Sequence, residues 1–252
     1  MARANRHFLP GQVWHITHRC HKQEYLLKFA KDRKHWIDWL YEAKKRYGLC
    51  VLNYIVTSNH IHLLVKDTKE GVIPNSMQLI ASRTAQMYNQ RKKRKGAYWE
   101  DRYHATAIEN DQHLFQCLVY IDMNMVRAGV VAHPKDWLHS GYHEIQKPPK
   151  RYAIIDINEL MQLAGSKQIE SLQEAHQQWI VTMLERETHQ RQSYWSESVA
   201  VGSKHYIERM QSQLGVRGKG RDCIAEGLHY ILKEPESSYS AHFIPEKGGL
   251  SE

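Results

Sequence analysis

The sequence predicts an α+β fold: an antiparallel sheet with flanking helices, related to the ferredoxin-like plan, followed by a helical C-terminal extension. Three observations carry that prediction. Apolar runs of strand length and stretches of helical period follow one another as strand, helix, strand, strand, helix, strand, helix. The two adjacent strands are separated only by Ser58-Asn59, a link suited to an antiparallel hairpin. At Gln146-Lys147-Pro148-Pro149-Lys150 the composition shifts to polar, Gln- and Glu-rich sequence, which places a first domain over residues 1–145 and the extension over 146–252.

Each element has its own signal. A basic arm with Arg3 and Arg6 precedes the turn-prone Pro10-Gly11, and Val13 to His18 is rich in β-formers. Trp36, Leu40, Ala43 and Tyr47 recur at helical spacing, with Asp32 near the start and Gly48 placed to stop the helix. Residues 49–57 and 60–66 form the hairpin. After Pro74-Asn75, the positions Met77, Ile80, Ala81, Thr84, Met87 and Tyr88 share a helix face that runs out into Arg91-Lys92-Lys93-Arg94-Lys95-Gly96. That run is either a solvated helix end or a phosphate-contacting loop; the nearby Tyr98, Trp99 and Tyr103, on which bases can stack, favour the second. Residues 103–109 read as a fourth strand.

From 110 to 127 a helix is expected, capped by Asn110 or Asp111 and closed by Gly129. Leu114, Leu118, Ile121 and Met125 make its apolar stripe; His113, Gln116, Tyr120, Asn124 and Arg127 make a polar one, with Tyr120 and Asn124 one turn apart. In the extension, Leu172, His176, Trp179 and Met183 mark one helix, and Tyr206, Met210 and Leu214 a second after Val201-Gly202-Ser203. Arg217-Gly218-Lys219-Gly220-Arg221 is a flexible basic stretch, phosphate-contacting or idle, and residues 234–252 are expected to be poorly ordered.

Composition narrows the class. The chain has 252 residues, 42% of them hydrophobic, ample for a buried core. Thirty-five Lys and Arg against 27 Asp and Glu give a net charge of +8, which favours a polyanionic partner. Cys20, Cys50, Cys117 and Cys223 are widely spaced, so they read as reduced core thiols rather than a zinc ribbon or disulfide framework. No apolar run reaches a membrane span and the N-terminus lacks a signal-peptide core, so a cytoplasmic protein with no membrane partner is expected.

The stretch with most chemical content is Asn59-His60-Ile61-His62-Leu63-Leu64. In a strand both imidazoles project from one face, as a bidentate metal clamp would require. With 17 histidines in the chain, roughly one His-x-His pair arises by chance, and an isolated pair is more often a satisfied core feature. Tyr120 by itself is a packing residue more often than a nucleophile. The pair gains weight beside the polar row of Tyr120 and Asn124, which such a sheet can bring under one helix. His15 and Thr17 form half of a two-histidine phosphoesterase pattern, a remote reading because the second Ser or Thr is missing.

Asn59 to Leu64 resembles the HUH signature, and Tyr120-Ile121-Asp122-Met123-Asn124-Met125-Val126-Arg127-Ala128-Gly129 resembles the helix of single-tyrosine HUH transposases of the IS200-like kind. Within that class the chain is most similar to REP-associated tyrosine transposases. Arg3, Arg6, the strand Trp14-His15-Ile16-Thr17 and Trp99-Glu100-Asp101-Arg102-Tyr103 belong to the same likeness, which covers residues 1–145. One departure is Met125, where the family often has proline; methionine leaves the helix free to continue for a turn.

The resemblance implies an HUH nuclease core acting as a transposase or single-strand endonuclease. His60, His62 and Asn124 would hold a divalent metal, Mg or Mn, and Tyr120 would attack phosphorus to give a covalent 5′-phosphotyrosine and a free 3′-hydroxyl. The phosphotyrosine conserves the phosphodiester's energy, so rejoining needs no nucleotide cofactor. The partner would be single-stranded or hairpin DNA from a repetitive element, contacted by Arg3, Arg6, Arg91, Lys92, Lys93, Arg94, Lys95, Arg102 and Arg127. Monomer and homodimer both occur in this class. A DNA-binding protein that keeps the scaffold without cutting is the competing reading.

Overall fold

The computed structural model describes residues 8–110, 112–185, 191–215 and 218–234. Strand β1 (Val13–Arg19), helix α1 (Ala30–Tyr47), strands β2 (Cys50–Val56) and β3 (His60–Lys66), helix α2 (Val72–Lys92), strand β4 (His104–Ile108) and helix α3 (Gln112–Asp122) follow the expected order. The four strands pair antiparallel in the spatial order β2-β3-β1-β4, so the βαββαβ plan is present.

Strand alternation sorts the side chains of β1 onto two faces. His15 and Thr17 share a face with His62, because Thr17 stands opposite His62 and His15 opposite Leu64. His18 points to the other face and stacks on Trp99 at 4.0 Å between ring centroids, while Trp99 Nε1 donates to the Ala81 carbonyl of α2. Helix α3 covers the first face: Asn53 of β2 donates from Nδ2 to the Leu118 carbonyl and to Asp122 Oδ1, at 3.2 and 3.1 Å. Trp36, Leu40 and Ala43 of α1 are buried as their spacing requires, and the helix ends at Gly48 with φ of 70°, whose N–H caps the Lys44 carbonyl. Helix α2 starts before Pro74-Asn75, at Val72; the proline lies in the first turn, where a missing N–H leaves no hydrogen bond unmade.

The expected helix from 110 to 127 is divided. It breaks at Met123 (ψ of 0°), and α4 (Asn124–Arg127) forms a separate turn before Gly129 at φ of 66°. Arg127 donates from its guanidinium to the Tyr120 carbonyl at 2.7 Å, supplying a donor beside the break. Met125 is buried and does not prolong an unbroken helix.

The extension differs more. After α5 (Tyr142–Gln146), which lies at the boundary, helices α6 (Ile157–Leu163), α7 (Ile169–Leu184), α8 (Tyr194–Glu197) and α9 (Lys204–Gln213) supply the expected helical part, but strands β5 (Ala200–Gly202), β6 (Asp222–Glu226) and β7 (His229–Lys233) are added. They join the same sheet, giving β2-β3-β1-β4-β5-β7-β6. Strand β5 runs parallel to β4, and Ala107 N and Glu109 N donate to Val199 O and Val201 O, so the extension pairs the edge that β4 would otherwise leave open. Helix α7 is tied to α3 by a buried network: His176 Nε2 meets Asp122 Oδ2 at 2.7 Å and His176 Nδ1 meets Gln146 Nε2 at 2.8 Å.

Cys20, Cys50 and Cys117 are buried free thiols, whereas Cys223 is exposed on β6 and is not a core residue. Arg221 is buried and ion-paired to Glu234 at 2.7 Å, so this end of the basic stretch is held by protein; Arg217 lies outside the described residues, as do Arg3, Arg6, Asp111 and the tail from 235 to 252. Among the described residues no helix is long and apolar enough to cross a membrane.

Candidate active site

His60 begins β3 because Thr57-Ser58-Asn59 turns the chain with Thr57 Oγ1 accepting from the Asn59 and His60 amides. His60 Nδ1 donates to Asn59 Oδ1 at 2.7 Å, leaving Nε2 as the lone-pair nitrogen of a neutral ring. His62, two residues on, places its ring centroid 5.0 Å from that of His60. Its Nε2 lies 3.0 Å from the Asn124 amide nitrogen, which donates to it. Tyr120 closes the group from above, with ring centroids 5.9 Å from His62 and 6.1 Å from His15, and the Arg127 guanidinium lies 4.0 Å from the Tyr120 ring centre.

His15 was legible as half of another motif and as part of the strand Trp14 to Thr17, with no role of its own, and it proves central to the geometry. Its Nδ1 is 2.6 Å from the Trp195 carbonyl and its Nε2 is 2.8 Å from His62 Nδ1. A carbonyl only accepts, so His15 Nδ1 carries the proton. Complete burial pushes His15 down to about 4, so it is neutral near pH 7 and its Nε2 is an acceptor. His62 Nδ1 therefore donates, and with His62 held well below its ordinary value by burial, its Nε2 presents a lone pair. Burial likewise lowers His60 to about 4. The two neutral rings thus line one cavity with Nε2 as the lone-pair nitrogen of each and with each Nδ1 fixed by a second residue, the arrangement seen in metal-ligating histidines.

The donor set fits a divalent cation. Among the described residues no three His, Cys, Asp or Glu side chains converge as a metal cluster, so a third protein ligand has to be of another type, and the Asn124 amide is adjacent. It presents nitrogen to His62 here; its oxygen becomes available in the other orientation of the same amide.

One cavity of about 680 Å³ is lined by His60, His62, Tyr120, Asn124, Arg102 and Arg127. Arg19, Arg191, Glu100, Asp101 and Glu197 also line it, and of these only Glu100 and Asp101 belong to a stretch singled out in the sequence. None of Arg91 to Lys95 does. Arg91 is paired with Asp32 at 2.5 Å, Arg94 with Glu24 at 3.5 Å, and Lys92 lies over Phe29. The basic run therefore spends two of its arginines on holding α2 to α1 and the segment before it.

Fold and cavity together put strand histidines and a helix tyrosine around one cavity that also collects four arginines. Residues 11–124 match the family model described as Transposase IS200 like. Residues 125–252 lie outside the match. Two solved structures are similar. One is described as a REP-associated tyrosine transposase bound to a REP hairpin, with 18% identity, covering 57% of this chain and 84% of that one, at a TM-score of 0.49. The other is a candidate transposase from Deinococcus radiodurans R1, with 16% identity, covering 51% and 92%, at 0.34. Comparison with curated proteins gives no match.

Proposed function

We propose that the protein nicks and rejoins single-stranded DNA through a covalent 5′-phosphotyrosine on Tyr120, at hairpin-forming repetitive elements, with Mg²⁺ or Mn²⁺ held by His60, His62 and Asn124. The observation that carries this reading is the convergence of Tyr120, His60, His62 and Asn124 on one cavity that also collects Arg19, Arg102, Arg127 and Arg191. A bound divalent cation would supply charge stabilisation at the scissile phosphate. The arginines would hold the strand by its phosphates. Tyr120 Oη would attack phosphorus as the bond to O3′ breaks, the phenolic proton being lost and the leaving oxygen taking one up to become a 3′-hydroxyl. Attack by a 3′-hydroxyl on the phosphotyrosine reverses the balance, forming a phosphodiester and returning the tyrosine. The Arg127 guanidinium, lying against the ring, would stabilise negative charge developing on the phenol. The preference for hairpins rests on the resemblance of residues 1–145 described above.

The test is incubation of end-labelled single-stranded hairpin oligonucleotides with the protein and Mg²⁺ or Mn²⁺. The expected result is a protein–DNA adduct stable to denaturant for the wild type and none for Tyr120→Phe. A protein that only binds DNA would retain these oligonucleotides equally in both forms with no adduct in either, across a broad panel of sequences.

A further inference from the structure

A second cavity, of about 540 Å³, adjoins the first at Tyr120. It shares Tyr120, Arg127 and Arg191 with the first and is otherwise built largely by the extension. Its walls are aromatic: Tyr194, Trp195 and His229 stand with ring centroids 5.1 to 5.6 Å apart, and Trp179 and Met183 of α7 line it as well. Two buried polar atoms at this cavity, Gln116 Oε1 and His229 Nδ1, have no hydrogen-bond partner among the described residues. Protein interiors rarely leave such atoms unmet, and each that remains asks for a partner from outside.

We propose that this cavity receives one unpaired nucleobase of the DNA strand whose phosphate lies at Tyr120, an inference that rests on the proposed function. Flat aromatic walls and a hydrogen-bonding edge are what an unstacked base requires. The volume lies within the ordinary range for small-ligand pockets. Charge favours this division of the nucleotide: Arg127 and Arg191, the latter paired with Glu197 at 2.6 Å, line both cavities and attract a phosphate where the two join, whereas Glu226 lines the second cavity only, where it repels a phosphate and tolerates a neutral base. Gln116 and His229 would read the base edge. The first cavity handles the phosphate and the second holds the adjacent base, with the Tyr120 ring between them.

The test measures binding by fluorescence anisotropy with the full-length chain carrying Tyr120→Phe, so that no reaction intervenes. The probes are hairpin oligonucleotides with single-stranded flanks in which each flank base in turn is replaced by an abasic residue. One position is expected at which losing the base weakens binding roughly 5- to 150-fold, the span of a lost base–aromatic stack. Adding Tyr194→Ala should weaken the intact probe by a similar factor and remove the penalty of that abasic position. Gln116→Leu, a change at a partly exposed side chain, should alter which base is preferred there while keeping the melting temperature. If no flank position shows a penalty, or if Tyr194→Ala and Gln116→Leu chains that melt like the parent bind every probe as the parent does, the pocket assignment is overturned. The two readings separate cleanly: position-specific coupling without any adduct from the wild type would refute the enzyme and keep the pocket, and an adduct without coupling would do the reverse.

Discussion

His15 Nε2 lies 2.8 Å from His62 Nδ1, and this contact between neighbouring strands sets which nitrogen of His62 faces the cavity. The direction of every proton in the chain follows from its far end, the Trp195 carbonyl, which can only accept.

Replacing His15 by alanine is therefore expected to leave His62 Nδ1–H without its acceptor and to release the ring. Affinity for Mn²⁺, measured by titration calorimetry on the protein alone, should fall roughly 10- to 100-fold, the usual effect of removing a residue that orients a metal-ligating histidine. Tyr120→Phe should leave it unchanged. Equal affinities for wild type and His15→Ala would show that His15 is a packing residue only.

Asp122 and His176 have fully buried side chains 2.7 Å apart, and Asp122 also accepts from Asn53. Asp122→Ala leaves His176 Nε2 and the Asn53 amide each short of a partner. Leaving a buried hydrogen-bonding group unmet costs about 1–3 kcal/mol, so urea denaturation should show a stability lower by about that amount. A loss under about 1 kcal/mol, the level of an exposed pair, would contradict the pairing described here.

Arg127 acts through both its charge and its fork of donors: it lies over the Tyr120 ring and donates to the Tyr120 carbonyl. Arg127→Ala should slow adduct formation about tenfold or more, within what a desolvated cation–π contact is worth. Arg127→Lys should recover only part of this, because an ammonium cannot reproduce the guanidinium plane. Full rescue by lysine would reduce the role to charge alone.

A chain ending at residue 190 would lose β5 to β7, α8 and α9, leaving the β4 edge open and removing the Ser198 carbonyl that accepts from Thr106 at 2.7 Å. That fragment is expected to melt at lower temperature and to self-associate, read by light scattering during a thermal scan. A fragment that melts like the whole chain would show that the added strands do not stabilise the sheet.

The hairpin and the helices α1, α2 and α7 were legible because each repeats a period over enough residues to be counted, and Gly48 and Gly129 stop their elements with the positive φ that their positions suggest. The likeness carried by His60, His62, Tyr120 and Asn124 pointed to residues that do share one cavity. What escaped is pairwise and distant. His15 reaches His62 through cross-strand register, which no spacing within one strand encodes. Arg191 and Trp195 arrive from a stretch with no motif, and strand β5 has only three residues, too few for alternation to show. For the basic run Arg91 to Lys95, the charge and the nearby aromatics were legible, but the ion pairs of Arg91 with Asp32 and Arg94 with Glu24 were not, because those acids lie far away in sequence.

The most direct test of the account is the identity of the linked residue. Protein incubated with a single-stranded hairpin substrate and Mn²⁺ is digested with protease and nuclease, and the modified peptide is sequenced by mass spectrometry. The account predicts a nucleotide joined through its 5′-phosphate to Tyr120, one of the chain's 14 tyrosines. Attachment to any other residue, or a linkage through a 3′-phosphate, would contradict it.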